Sequence, residues 1–457
     1  FGTDQRSQPD SYLMDSPTAD TIRIEPVAGK QQLEAFISAP KPIYRDDPNW
    51  VAPLHFEQRQ RLTAKNPFFE HARWQAWTAE RRGRVVGRIS AQIDDLYEKQ
   101  HGERVGYFGM LEAADDPELF RRLLATAENW LREQGIPTVH GPFNLSINEE
   151  CGLLVEGFET PPSIMMGHAR PWYGGHVESA GYRKATDLLA YDIRPDFEAP
   201  RIMTRLLERE TAEVSVRHLN RRQLPQELEI LRGIFNDAWQ DNWGFVPFTE
   251  AEFTDIGELL TLLVDDSFVQ IAEIGGQPVA MIVAMPNINE AISDLDGRLL
   301  PLGWLKLLWR LKVRHPRSAR VALMGIRREF QNSAFGAALA FKVIDAVRWN
   351  LVRRGIGNVE MARFVLTEGG KKRKEWDKRP DAKKVQESIF DGIAWMNKHW
   401  SPFENPSGHG QTNYHIYYLY CIERAMDLLD LNLVGSHRWY NEMGQELLNR
   451  QASDGYW

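Results

Sequence analysis

V-A-L-M-G-I-R-R-E-F-Q-N-S-A-F-G-A-A-L-A-F, residues 321–341, is the stretch on which the fold turns. The apolar run at 321–326 reads as a strand. Small residues then crowd the place where a helix begins, and the apolar spacing carries that helix to about residue 354. A second strand follows near 356–362. An α-helix leaves its first N–H groups unpaired and carries positive potential at that end. Small side chains there let an anion such as a diphosphate approach the backbone. The same residues also suit an ordinary strand–turn–helix packed through small side chains, so the surrounding order of elements has to decide.

Composition narrows the field. The chain has 457 residues, enough for about three domains at roughly 150 residues each, and 43% of them are apolar. Fifteen Trp and 21 Phe favour globular packing or large apolar pockets. A formal net charge of -8 argues against a general nucleic-acid binder. Two cysteines, Cys151 and Cys421, cannot build a disulfide framework, so a reducing, cytoplasmic setting is expected. No run of about 18 apolar residues is present to span a bilayer. The sequence starts at Phe1 without an initiator Met or a signal peptide, and it is expected to be a piece at both ends.

The polar residues 1–20 are expected to form a disordered tail. From Ile22 an α/β order begins: sheet-forming residues at 84–93 and 106–111, a helix at 117–135, and short strands at 138–143 and 188–193. In the helix, Leu119, Leu123, Leu124, Ala127 and Leu131 share one face, and Gly135 is a natural stop. The order then recurs: a helix at 231–239, a hairpin at 268–286 turning at Gly275-Gly276, the strand at 320–326, the helix at 335–354 and the strand at 356–362.

Residues 331–336, Q-N-S-A-F-G, fit Gln/Arg-x-x-Gly/Ala-x-Gly/Ala between a strand and a helix. The motif and its context resemble the pyrophosphate loop of the GNAT superfamily of acyl-CoA N-acyltransferases. The resemblance implies an α/β (α+β) protein with two tandem GNAT-like mixed-sheet domains, 21–197 and 198–363; the helical pattern beyond them adds an all-α helical-repeat fragment. It implies an acyl-CoA donor substrate, acetyl-CoA or longer. The backbone N–H groups of Asn332, Ser333, Ala334, Phe335, Gly336 and Ala337 would cradle its diphosphate. Arg327 and Arg328 would add charge, Gln331 holds the first motif position, and main-chain groups of Met324, Gly325 and Ile326 would face the pantetheine arm. The equivalent turn of the first domain carries Glu112, Asp115 and Asp116, which repel a diphosphate, so that copy is expected not to bind CoA. Family members normally continue past the strand at 356–362 into a further helix and strand, with a Tyr there often acting as acid; here the charged segment 369–379 arrives instead.

Several other groups invite a functional reading. Asn236, Asp237, Trp239, Asp241, Asn242 and Trp243 lie where such a domain's first helices border the acceptor, or form a packed aromatic turn. Asn144, Asn148, Glu149 and Glu150 are candidates for substrate contact, or for a solvated loop. Cys151 beside two carboxylates should be a poor nucleophile. Transfer to an amine needs a base and a steadied oxyanion, and Glu360 is the candidate base, or an ordinary strand carboxylate. In L-L-P-L-G-W-L-K-L-L-W-R-L-K-V-R, 299–314, Lys306, Arg310 and Arg314 form a basic stripe among apolar residues that include Trp304 and Trp309. It reads as a membrane-surface contact or lipid-pocket wall, or as a core helix with one wet edge. A greasy acceptor follows from the first reading; the resemblance to a superfamily that includes bacterial sphingoid-base N-acyltransferases implies a sphingoid-like base and a ceramide-type product as the specific variant.

Beyond a charged linker at 364–380, residues 381–457 read as helices. Gln451, Gly455 and Trp457 resemble the Gln-x-x-x-Gly-x-Trp turn of α/α-toroid repeats. His399, His409, His415 and His437 fit no standard metal spacing, so no metal is expected. The preferred reading is an acyl-CoA-dependent N-acyltransferase acting on an amine. The alternatives are a non-catalytic scaffold of degenerate GNAT domains and a helical repeat, or a fusion of pieces from two genes.

Overall fold

The computed structural model describes residues 21–199, 203, 204, 206, 207, 213–331 and 333–365. The expected tail, residues 366–380 of the expected linker, the toroid-like segment and Asn332 lie outside these residues, while residues 364 and 365, expected in that linker, end a strand instead. The first half comprises β1 (Arg23–Pro26), α1 (Lys30–Ser38), α2 (Pro40–Ile43), α3 (His55–Arg61), β2 (Ala72–Arg81), β3 (Arg84–Asp94), α4 (Asp95–His101), β4 (Val105–Ala113), α5 (Pro117–Glu133), β5 (Thr138–His140), a small hairpin of β6 (Phe143–Asn144) and β7 (Glu150–Cys151), α6 (Tyr173–Ser179) and β8 (Asp187–Ile193). The second comprises β9 (Val214–His218), α7 (Leu224–Trp239), α8 (Glu250–Leu263), β10 (Val269–Ile274), β11 (Gln277–Pro286), α9 (Ile288–Ile292), α10 (Gly303–Trp309), β12 (Ser318–Ile326), α11 (Ala334–Arg353) and β13 (Asn358–Val365).

Two sheets repeat one connectivity. The first runs β1-β2-β3-β4-β5, and the second runs β9-β10-β11-β12-β13 with β8 added beyond β13. In each, three antiparallel pairings precede a parallel pair, β4 with β5 and β12 with β13. A parallel neighbour needs a crossover, and α5 and α11 supply it. The β2–β3 and β10–β11 turns also match: Arg82-Gly83 and Gly275-Gly276 all have positive φ, as two-residue hairpins favour. One extra residue bulges β4 opposite Arg88–Ser90 and β12 opposite Val283–Ala284, so the same strand is kinked in each half.

Alternation along β3 explains the first core. Ile89, Ala91 and Ile93 pack with Leu119, Leu123, Leu124, Ala127 and Leu131 of α5 in one buried cluster. The opposite row of β3, Arg88, Ser90, Gln92 and Asp94, is polar yet buried. Gln92 Nε2 donates to the carbonyls of Phe143 (2.7 Å) and Leu145 (3.0 Å), which carries the chain after β5 across that row. In the second half, β10–β12 pack between α7, through Leu228, Leu231, Ile234 and Phe235, and α11, through Leu339, Val343, Val347 and Leu351.

The strand at 187–193, expected within the first domain, pairs antiparallel with β13 in the second sheet, from Val359↔Ile193 to Val365↔Asp187. The sheet that the sequence order leaves short thus gains its last strand from the chain that precedes it. Sequence reasoning misses β2, although its Arg82-Gly83 turn is a usable signal.

Candidate functional site

In both sheets the parallel pairing stops well short of the ends of β4 and β12. β12 pairs with β13 over Ser318–Val321 and Asn358–Met361, and then runs on to Ile326 without it. β4 pairs with β5 over Val105–Tyr107 and Thr138–His140. Each pair therefore opens into a V, and the two halves treat it differently.

In the first half the V is filled by the chain itself. A Cβ on Gly109 would sit 1.7 Å from the Phe143 carbonyl oxygen, so only glycine admits that approach. The Met110 N–H, freed by the bulge, donates to Asn144 Oδ1 (2.7 Å). Asp116 caps α5 by accepting from Glu118 N (2.9 Å) and Leu119 N (3.2 Å), and pairs with Arg81. Asp115 holds His176 (2.7 Å). Glu112 points inward, accepting from the Tyr44 and Tyr173 hydroxyls, both at 2.8 Å. Burial pushes its carboxyl up to about 7. The opening beside β4 and the start of α5 are thus occupied by the protein's own groups.

In the second half, β12 leads through a short turn at Arg328–Phe330 into α11. Ser333 caps the helix: its Oγ accepts from Gly336 N (2.9 Å) and donates to the Phe330 carbonyl (2.6 Å), while its own carbonyl accepts from Ala337 N (3.1 Å). A Cβ on Gly336 would meet the Phe330 oxygen at 2.0 Å, so glycine sets the tightness of this turn. The Gly336 and Ala337 N–H groups, expected to face a diphosphate, thus serve the cap, and the helix's first N–H groups at Ala334 and Phe335 precede them. Phe335 packs on Phe330.

The other expected contacts are placed as follows. The Met324 carbonyl accepts from the Trp239 indole (2.7 Å). Gly325 lies against Ile234 and Ala238 of α7. Gln331 turns inward, donating to the carbonyls of Ile326 (2.8 Å) and Ala238 (3.1 Å). Arg327 Nε donates to the Pro278 carbonyl (2.9 Å). Arg328 donates its N–H to Asp237 (2.9 Å) and pairs with exposed Asp241 (2.5 Å).

Most acceptor candidates instead hold the fold. Asn236 brackets Phe248, donating to its carbonyl and accepting from its N–H. Trp239 stacks on Phe235. Asn242 belongs to the turn after α7 through its backbone. Trp243 stacks on His140 and Phe143 of the first half. Asn144 joins Glu150 (3.0 Å), and Asn148 donates to the Val246 carbonyl (2.9 Å) across the halves. Asn and Trp mark polar turns in the sequence, but the partners of Trp239, Trp243 and Asn148 at Met324, His140 and Val246 lie far along the chain.

Glu360 occupies a different setting. It stands one residue before β12–β13 pairing ends, opposite Arg320 and, on the other side, Asp192. Arg320 Nε and Glu360 Oε1 are 3.8 Å apart, and both atoms are buried without a hydrogen-bond partner. Burial raises the Glu360 carboxyl above its ordinary range, against the pull of Ser163 and Arg320. Arg320 Nη1 donates to the Ile164 carbonyl (2.6 Å) of the first half. Cys151 is close enough for Arg320 to stabilise its thiolate, yet burial pushes the thiol up to about 12, with Glu150 adding to the rise. It is a poor nucleophile mainly because it is buried. Sequence reasoning misses Arg320; its place opposite Glu360 in the register is the signal that a linear reading lacks.

The doubled strand order, the two V-shaped openings and the capped strand–turn–helix define a tandem GNAT-type acyltransferase fold. No family model matches the sequence. The chain is 49% identical over 342 residues to "Protein YghO" of Escherichia coli (strain K12), covering 75% of this chain and 88% of that protein. It is 46% identical over 351 residues to "Bacterial ceramide synthase" of Caulobacter vibrioides, covering 76% and 91%. Among solved structures, "Tandem GNAT protein from the clavulanic acid biosynthesis pathway (without AcCoA)" aligns at 13% identity and a TM-score of 0.44, over 75% of this chain and 90% of that one. This chain belongs to the family of the YghO and bacterial ceramide synthase proteins.

Proposed function

We propose that the protein transfers an acyl group from acyl-CoA to the amine of a lipid-like acceptor, with a long-chain amino-alcohol base as the acceptor and a ceramide-type amide as the product. The observation that carries this reading is the contrast between the two V-shaped openings, self-filled in the first half and leading to a glycine-tightened helix start in the second. The relative named bacterial ceramide synthase supports the acceptor class.

In this reading the diphosphate lies at the start of α11, where N–H groups and helix potential favour an anion. Arg328, exposed beside Asp241, supplies a cation nearby. The acyl arm enters between β12 and β13 and brings the thioester toward Glu360. The amine nitrogen attacks the thioester carbon, and the carbonyl π electrons move to oxygen. The tetrahedral intermediate collapses, the C–S bond breaks and CoA leaves with the sulfur's electron pair. The nitrogen loses one proton in forming the amide, and Glu360 accepts it. That proton, passed on from Glu360, ends on the departing sulfur and regenerates the base: amine plus acyl thioester give amide plus thiol. A carboxylate whose affinity for protons is raised by burial is a better base for this step than an exposed one.

The test is amide formation from a long-chain acyl-CoA and a long-chain amino-alcohol, followed by mass spectrometry. A new amide made by the parent protein and lost in Glu360→Gln supports the reading. A folded parent that makes no amide from any chain length of acyl-CoA overturns it.

A further inference from the structure

The insertion between β11 and β12 has no counterpart between β3 and β4, where only α4 intervenes. Its base is pinned. Asn289 donates to the Pro162 carbonyl (2.9 Å), and Glu290 accepts from Arg317 N and Ser318 N, both at 2.9 Å. Asp296 pairs with Lys41 (3.0 Å), and His55 N donates to the Gly297 carbonyl (2.9 Å). Lys306 and Arg310 both grip Asp294.

From this fixed base α10 and the wider helical turn at Arg310–Arg314 present apolar side chains to solvent. Leu300 is 80% exposed, Leu302 67%, Val313 64% and Trp309 52%, and Trp304, Leu305 and Leu308 are each more than 40% exposed. Leu311 is the buried residue that seats the segment. The sequence left open a core helix with one wet edge, but here the apolar side is the wet one. Isolated exposed leucines are ordinary; a cluster of this size on one element marks an interaction surface.

Charge selects the occupant. Residues 288–317 contain six Lys/Arg and three Asp/Glu, a local net charge of +3 in a chain of -8. Within 299–314 there are four basic residues and no acidic one. A two-fold pairing of this face with its copy would set like charges together. An anionic bilayer satisfies both features: its headgroups attract the segment's net positive charge, which remains after Asp294 is counted against Lys306 and Arg310, and its interfacial zone takes Trp and Leu.

We propose that residues 299–314 dock the protein on an anionic phospholipid surface, lying in the interface rather than crossing it. No described helix is long and apolar enough to cross a membrane. β12 starts at Ser318, and Arg320 opposite Glu360 follows two residues on, so the docking element adjoins the acceptor end of the proposed site. The proposal rests on exposure and charge, and it stands or falls separately from the acyl-transfer reading.

The experiment is flotation of the full chain with phosphatidylcholine vesicles, with and without phosphatidylglycerol, at low and high salt. Alongside it runs the Trp304→Glu, Trp309→Glu double variant, with light scattering and thermal melting of both proteins without lipid. The parent is expected to float with the phosphatidylglycerol vesicles, less so at high salt. The variant should lose binding by roughly tenfold or more, with unchanged mass, melting temperature and CoA binding. Three results would overturn the proposal. One is a parent that does not float, or floats no better than the variant. Another is a parent dimer that becomes a monomer in the variant, which makes the face a contact between copies. The third is a variant that melts lower without lipid, which places the two Trp inside the protein's own packing. An Ala334→Asp variant that loses CoA but still floats would separate this proposal from the catalytic one.

Discussion

Gly336 and Ala334 sit two residues apart, and substitutions there separate folding from binding. Gly336→Ala brings a Cβ within 2.0 Å of the Phe330 oxygen, so it should lower the melting temperature as well as CoA affinity. Ala334→Asp places a carboxylate in the first helical turn, where the helix end favours negative charge, so it should leave stability unchanged or slightly raised. The same carboxylate repels a diphosphate. Thermal melting and calorimetry on this one variant should therefore move in opposite directions. Glu360→Gln keeps the size of the side chain and removes the base. The turnover rate should fall by about 10²–10⁴-fold with little change in acyl-CoA affinity. The parent's rate should climb with pH through a carboxyl raised above its ordinary range by burial, and the variant should lack that limb. Of these residues, Gly336 and Glu360 were visible in the sequence. Their partners were not: Phe330 and Arg320 matter through a turn and a register that spacing alone does not give.

At the scale of elements, the two halves are held by side chains that cross between them. His71 lies 3.0 Å from Asp94 of β3 and 3.3 Å from Glu252 of α8. Burial opposes its positive charge, but the two carboxylates prevail and bring the imidazole up to about 9. A raised imidazole gives a contribution that is complete below its ordinary value of about 6.5 and is lost as pH rises through about 9. Glu252 has the opposite sense: burial opposes its charge, His71 and Thr249 outweigh that, and its lowered carboxyl contributes stability that is lost only in acid. His71→Leu leaves two buried carboxylates without their cation, a cost of roughly 3–5 kcal/mol. Its melting temperature should fall below the parent's most clearly near pH 6, with the gap narrowing toward pH 9. Gly109→Ala should also destabilise, because the chain at Phe143 must retreat from β4. The long helices and the Gly275-Gly276 hairpin were legible from apolar period and turn residues. The placement of β8 was not, since nothing local distinguishes a strand that joins the next sheet from one that closes its own.

At the scale of the molecule, one connectivity is used twice for two ends. The first half closes its V with residues 143–145 and its helix end with Asp116, and then sends β6 and β7 toward Arg320 of the second half. The sequence marked the turn at 112–116 by its acidic residues, and the structure engages Glu112 with Tyr44 and Tyr173, Asp115 with His176, and Asp116 with the start of α5. β8 supplies the second sheet with the strand that the sequence order lacked after β13. The division of labour makes one claim central: the second half takes acyl-CoA and the first does not. Calorimetric titration of a long-chain acyl-CoA into the parent and into Ala334→Asp tests it most directly. One binding event per chain in the parent, abolished or strongly weakened in a variant that melts at the parent's temperature or above, is the predicted result. Binding that survives in the variant, or a folded parent that binds no acyl-CoA, would contradict the account.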